Sequence, residues 1–312
     1  MKTVAIIIAR MGSSRVPGKM MADIEGSPVL AWTVRAASEA PGIDDVWVAT
    51  SRLSADEMIA GWCATNDINC FRGDENDVLG RFAGAARASK ADIVVRITGD
   101  CVFIDPALIG EVVRLRKHAD ADFASNLDPP TYADGMDCEC FTTKTLFTAE
   151  EETAATIAPS PVQGKGNAGN IDRDCMTQFI MRNKHRFGQI NAVCPISGQH
   201  KERYVLDTEN DLKFCREIAK RLHKVPPSYL DILNVLDKHP ELREINSMHP
   251  RNERFYAAIA EEPITPRTYT KSKELLARAE KTIPLAAQTF SKSKIQYPAN
   301  SPLFLTHGDG GY

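Results

Sequence analysis

"TVAIIIARMGSSRVPGK", residues 3–19, runs from an apolar stretch into a loop carrying Arg10, Arg15 and Lys19 beside Gly12 and Gly18. The stretch 3–9 is rich in Val and Ile and has no polar alternation, which reads as a strand buried on both faces. Pro17 and Gly18 keep the loop from being helical. Two readings stay open on these residues alone. One is a solvated turn that ends a strand. The other is a cradle for a triphosphate, with small residues letting backbone N–H groups approach phosphate oxygens and fixed cations gripping them.

Outward from this loop, β-rich runs alternate with helical periodicity. Residues 27–40 predict a helix with Val29, Leu30, Thr33, Val34 and Ala37 on one face. A strand is expected at 45–51, a helix near 54–65, a short strand at 68–71, a helix at 77–89 and a strand at 91–99. The next helix, 105–118, opens with Asp105 as N-cap and Pro106 at the first helical position. This alternation predicts an α/β fold, a mostly parallel sheet with helices on both faces. Ligands of such sheets sit at the carboxyl ends of the strands. Residues 155–172, rich in Ala, Pro, Gly and Asn, read as a mobile surface loop or insertion. A second helical region follows 207, and 257–267 reads as a linker.

The chain has 312 residues, a formal net charge of −3 and 25% charged residues, an ordinary globular balance that does not suggest nucleic-acid binding. No apolar stretch approaches the ~20 residues of a membrane span. The first ten residues read as a core strand rather than a signal peptide. Eight scattered cysteines without a CxxC pair read as reduced thiols of a cytoplasmic protein.

The loop fits neither glycine-rich nucleotide signature. Gly12 and Gly18 are separated by five residues where a Walker A loop has four, Met20 follows Lys19, and GxGxxG is absent. That absence also argues against a dinucleotide-dependent oxidoreductase. A second cluster, "VVRITGDCVFIDP" at 94–106, puts Asp100 at the same sheet edge. It is either a Mg2+ ligand facing a triphosphate or a turn aspartate. In "RYVLDTENDL", 203–212, Asp207 is either a second metal ligand or a capping-turn residue before a helix that Thr208 could cap.

Together, "IIIARMGSSRVPGKMM", "VLGRF", "VRITGDCVFIDP", "SNLDPPTYADGMDCECF" and "ERYVLDTENDL…DILNVLDKHPEL" resemble the SpsF-like branch of the CMP-sugar cytidylyltransferases, relatives of CMP-Kdo and CMP-sialate synthetases. The match spans residues 1–256. The resemblance implies a nucleotide-diphospho-sugar transferase-like, Rossmann-like fold, CTP as substrate, Mg2+, and a homodimer. It places Arg10, Arg15, Lys19 and Asp100 in catalysis, and Asp100 and Asp207 on the metal. It assigns Ala9, Arg10, Met11, Gly12, Ser13, Lys19, Gly73, Asp74, Arg81, Thr98 and Asp100 to the nucleotide. Arg96, Asn126, Asp134, Gly135, Asp137 and Glu139 would face the acceptor. The expected product is the CMP derivative of an acidic or amino sugar for surface polysaccharide; a small phosphorylated polyol, amino compound or phosphonate is the alternative acceptor. A non-catalytic nucleotide-binding scaffold is disfavoured, since both carboxylates accompany the basic loop. The segment 173–177, Arg-Asp-Cys-Met-Thr, departs from the Glu-His that usually precedes its Thr and is expected in the acceptor half.

Residues 268–312 have a resemblance of their own, to the opening of class III, glutamate-1-semialdehyde-type aminotransferases. This implies a fusion. PLP is not expected to bind here, because the similarity stops before any PLP-binding lysine. The stripe Leu275, Leu276, Ala279 and Ile283 predicts a docking helix.

Overall fold

The computed structural model describes residues 1–154, 173 and 177–251. The expected loop 155–172, the expected linker 257–267 and the tail 268–312 with its expected helix lie outside them.

The apolar run is a strand, β1 (Thr3–Ile8), and it has no polar alternation because both of its faces are covered. Ala5 and Ile7 join Val48, Val95, Ile97, Trp32 and Val112 in one core layer. Val4 and Ile6 point the other way, toward Leu79, Phe82, Leu146 and Ala149. Burying each such aliphatic side chain is worth ~1.5–3 kcal/mol. The unbroken hydrophobicity that signalled the strand is therefore also what holds two helical layers to the sheet.

A small hairpin of β2 (Asp23–Ile24) and β3 (Ser27–Pro28) precedes α1 (Val29–Glu39). Then come β4 (Asp45–Ser51), α2 (Glu57–Thr65), β5 (Asn69–Gly73), α3 (Val78–Ser89), β6 (Ile93–Thr98) and α4 (Pro106–His118). The second half contributes β7 (Phe123–Ser125), β8 (Glu139–Thr142), α5 (Thr143–Ala154), α6 (Gln178–Arg182) and β9 (Gln189–Asn191). It closes with α7 (Glu209–Ala219) and α8 (Tyr229–Lys238). The seven-stranded sheet has the order β5-β4-β1-β6-β8-β7-β9. Strands β5, β4, β1 and β6 are mutually parallel, and β8 runs antiparallel between β6 and β7. The mostly parallel α/β sheet is as expected.

Chain order reverses direction across the sheet at β1, with β4 on one side and β6 on the other. Ile8, the last residue of β1, pairs with Thr98, the last of β6. The loops leaving these two strands therefore open side by side, at a topological switch point where such sheets bind ligands. Helix caps match the sequence signals. Asp105 accepts from Ala107 N at 2.7 Å, and its other oxygen takes Tyr229 N at 2.7 Å, tying α4 to α8. Thr208 and Ser228 close capping boxes with Asp211 and Asp231. The seven described cysteines are free thiols. Among the described residues no helix is long and apolar enough to cross a membrane.

Candidate active site

The loop after β1 is folded on itself by its own backbone. Met11 O accepts from Ser13 N at 2.8 Å and from Gly18 N at 3.2 Å, while Ser13 Oγ accepts from Val16 N. Gly18 supplies the left-handed turn, φ 73°, that brings the chain back. Asp56 anchors the loop from outside, taking Met11 N at 2.7 Å with one oxygen and Ser51 with the other. Across the crevice Gly99 is required by contact. A Cβ there would lie 2.8 Å from Met20 Sδ and 3.2 Å from Ile8 O.

This architecture delivers Lys19 to the centre of the site. It is 7% exposed, and its ammonium donates to Asp100 Oδ2 at 2.7 Å, Asp207 Oδ1 at 2.8 Å and Leu206 O at 2.8 Å. The segment after β6 and the segment before α7 are also joined directly, Leu206 N donating to Asp100 O at 3.0 Å. Burial alone would lower the Lys19 pKa, but the charges of Asp100 and Asp207 outweigh it and the pKa is raised. Burial likewise pushes Asp100 up. The Lys19 ammonium, with a Thr98 hydrogen bond, overcomes that and holds the carboxyl below its ordinary range. Arg15 reaches the second oxygen of Asp207 at 3.0 Å. Asp207 does not cap α7; that role belongs to Thr208, which leaves the Asp207 carboxylate to the site.

No group of three His, Cys, Asp or Glu among the described residues forms a metal site. Asp100 and Asp207 are the pair able to hold a divalent cation, since both lie within hydrogen-bond reach of one nitrogen. Mg2+ is commonly held by one or two carboxylates, with substrate phosphates and waters completing its shell, so this donor set fits it.

The segment at 73–81 lies on the other flank of the loop. Arg10 faces Glu75 at 3.8 Å. Arg81 is buried, and one guanidinium nitrogen donates to the carbonyls of Asp74 and Glu75, so it shapes this loop from within. Gly73 must be glycine to pass Arg81, whose Cγ a Cβ would approach to 2.8 Å.

Three of the residues expected to face the acceptor are carboxylates, each met by an arginine. Glu139 pairs with Arg96, which stands opposite it on β6; Asp137 pairs with Arg251 at 2.8 Å; Asp134 pairs with Arg203 at 2.9 Å. Arg203 also grips Asp211 through both oxygens, at 2.9 Å each. Burial pushes the Asp137 carboxyl up and Arg251 pulls it back. The charges of Asp134 and Glu139 add to the rise, leaving it at about 7. Asp134 is raised for the same first reason. Gly135, φ +94°, packs where a Cβ would stand 2.3 Å from Val205 N. Asn126 is fully buried and spends its amide on Met136 O and Cys138 N, so it braces the segment.

Four side chains central to this geometry were not among the expected site residues: Asp56, Arg203, Arg251 and Arg173. Arg203 had a signal, a cation four residues before Asp207. Arg173 stands at the departure 173–177, expected in the acceptor half. Its partner is instead Asp77, within the 73–81 segment.

Residues 4–225 match the family model described as cytidylyltransferase. An uncharacterized protein of Methanocaldococcus jannaschii is 29% identical over 79% of this chain and 95% of its own length. The spore coat polysaccharide biosynthesis protein SpsF of Bacillus subtilis is 31% identical over 40% of this chain. A 3-deoxy-manno-octulosonate cytidylyltransferase of Anaeromyxobacter is 40% identical over 36%. The chain spans about half the length of these last two, 54% and 47%. Among solved structures, a cytidylyltransferase from Leptospira borgpetersenii aligns with TM-score 0.69 and 26% identity, over 78% of this chain and 97% of that one.

Proposed function

Because the chain belongs to the cytidylyltransferase family, we propose that it joins CMP from CTP to an acidic or amino sugar, releasing pyrophosphate, as a step in making surface polysaccharide. Similarity to SpsF and to a 3-deoxy-manno-octulosonate cytidylyltransferase supports the acceptor class. The observation that carries the reading is the convergence of Lys19, Arg15, Asp100 and Asp207 at the β1/β6 crevice.

In this reading the triphosphate lies over the 9–19 loop. An acceptor oxygen attacks the α-phosphorus in line, and the protein's share is positioning and charge stabilisation. Arg10, Arg15 and Lys19 neutralise the charge that develops on departing pyrophosphate. Asp100 and Asp207 would hold Mg2+, which would supply charge stabilisation at the phosphates. The Asp134–Glu139 segment orients the acceptor, its carboxylates taking hydroxyl or ammonium donors while their arginines keep them in place.

The test is pyrophosphate release from CTP and Mg2+ with a panel of sugar acids, amino sugars and phosphorylated polyols. Asp100→Asn and Asp207→Asn should each lower turnover by about 100-fold or more with the fold intact, as expected for groups acting on transition-state charge. Near-parental turnover in a folded Asp207→Asn protein would remove that residue from the reaction.

A further inference from the structure

We infer that Arg173 is a positioning residue for the nucleotide, acting through Asp77 on the segment 73–81; this rests on the reading that this segment faces CTP. Arg173 is 2% exposed. Its guanidinium spans both Asp77 oxygens, Nε to Oδ1 at 2.9 Å and Nη2 to Oδ2 at 2.6 Å. The remaining nitrogen donates to Glu150 O at 3.2 Å and Thr153 Oγ1 at 3.1 Å, in the last turns of α5. One side chain thus clamps the start of α3 to the end of α5.

Asp77 passes this constraint on. Its Oδ1 also accepts from Gly80 N at 2.9 Å as the N-cap of α3, and its carbonyl takes Arg81 N at 3.0 Å. Gly80 permits this seat, since a Cβ there would fall 2.2 Å from Asp77 Oδ2. Arg81 in turn holds the Asp74 and Glu75 carbonyls, and Glu75 faces Arg10 of the phosphate loop. The path Arg173–Asp77–Arg81–Glu75 therefore ends at the triphosphate side of the crevice. Capping needs only one acceptor oxygen, so Asp77 could cap α3 without Arg173. What the two-pronged pair adds is a fixed carboxylate plane, which a lysine cannot reproduce.

The experiment is calorimetric titration of the full chain and of Arg173→Met, Arg173→Lys and Arg81→Met with CTP, and separately with inorganic pyrophosphate. Arg173→Met should bind CTP about tenfold more weakly, one lost charge-assisted contact in scale, and should weaken pyrophosphate in the same direction, because the path ends at Arg10 of the phosphate loop. Arg173→Lys should recover only part of the loss, and it carries the test if the Met variant does not fold. A merely structural arginine would lower the melting temperature and leave CTP affinity alone. Parental CTP affinity in the Arg173 variants, with Arg81→Met impaired, overturns the inference. Parental CTP affinity in a folded Arg81→Met overturns the underlying reading of 73–81, and the inference with it.

Discussion

The Lys19 ammonium stands 2.8 Å from Asp207 Oδ1 although 188 residues separate them, and the same nitrogen is 2.7 Å from Asp100 Oδ2. One buried cation thus joins the loop after β1, the end of β6 and the segment before α7, and it occupies the position where two carboxylates converge.

Replacing that cation should separate its two effects. Lys19→Met should bind CTP at least about tenfold more weakly, having lost a charge-assisted phosphate contact. The same variant leaves Asp100 and Asp207 facing each other without the ammonium. Mn2+ added alone should therefore raise its melting temperature more than the parent's, where the ion must compete with the lysine. Equal shifts in the two proteins would contradict a shared cation position.

Asp137 predicts a pH dependence with a defined sign. Its carboxyl titrates at about 7 in the folded protein, against an ordinary value of 3.8. Across that window the folded chain holds a proton the unfolded chain has lost, so stability falls as pH rises from about 4 to 7. Asp137→Asn should remove this contribution. Urea unfolding at pH 5 and pH 8 should show the parent losing stability relative to the variant, and parallel behaviour would place the Asp137 carboxyl in the normal range.

Gly135 tests the segment proposed to orient the acceptor. Its φ of +94° and the 2.3 Å separation that an alanine Cβ would have from Val205 N leave no room for a side chain. Gly135→Ala should cost at least about 1–3 kcal/mol from backbone strain and impair acceptor-dependent turnover. Unaltered melting temperature and turnover would mean the segment can move aside.

The first half of the sheet was legible because β1, β4 and β6 are separate runs rich in Val and Ile. Val4 to Ile7, and Ile93 to Val95 with Ile97, are buried on both faces and read as strands directly. The second half was not legible, because β7, β8 and β9 have only three or four residues each and β8 runs antiparallel. Runs that short carry no periodicity. The cationic loop, Asp100 and Asp207 were visible as residues, but their convergence on Lys19 is a product of topology. The Asp77–Arg173 pair, 96 residues apart, had no local signal beyond a departure from family pattern.

The most direct measurement is titration of the protein with CTP and with ATP in Mg2+. CTP should bind at least about tenfold more tightly, a difference of ~1.4 kcal/mol, with Lys19→Met weakening it. Equal affinity for ATP would make the β1/β6 crevice a general nucleotide site and contradict its assignment to CTP.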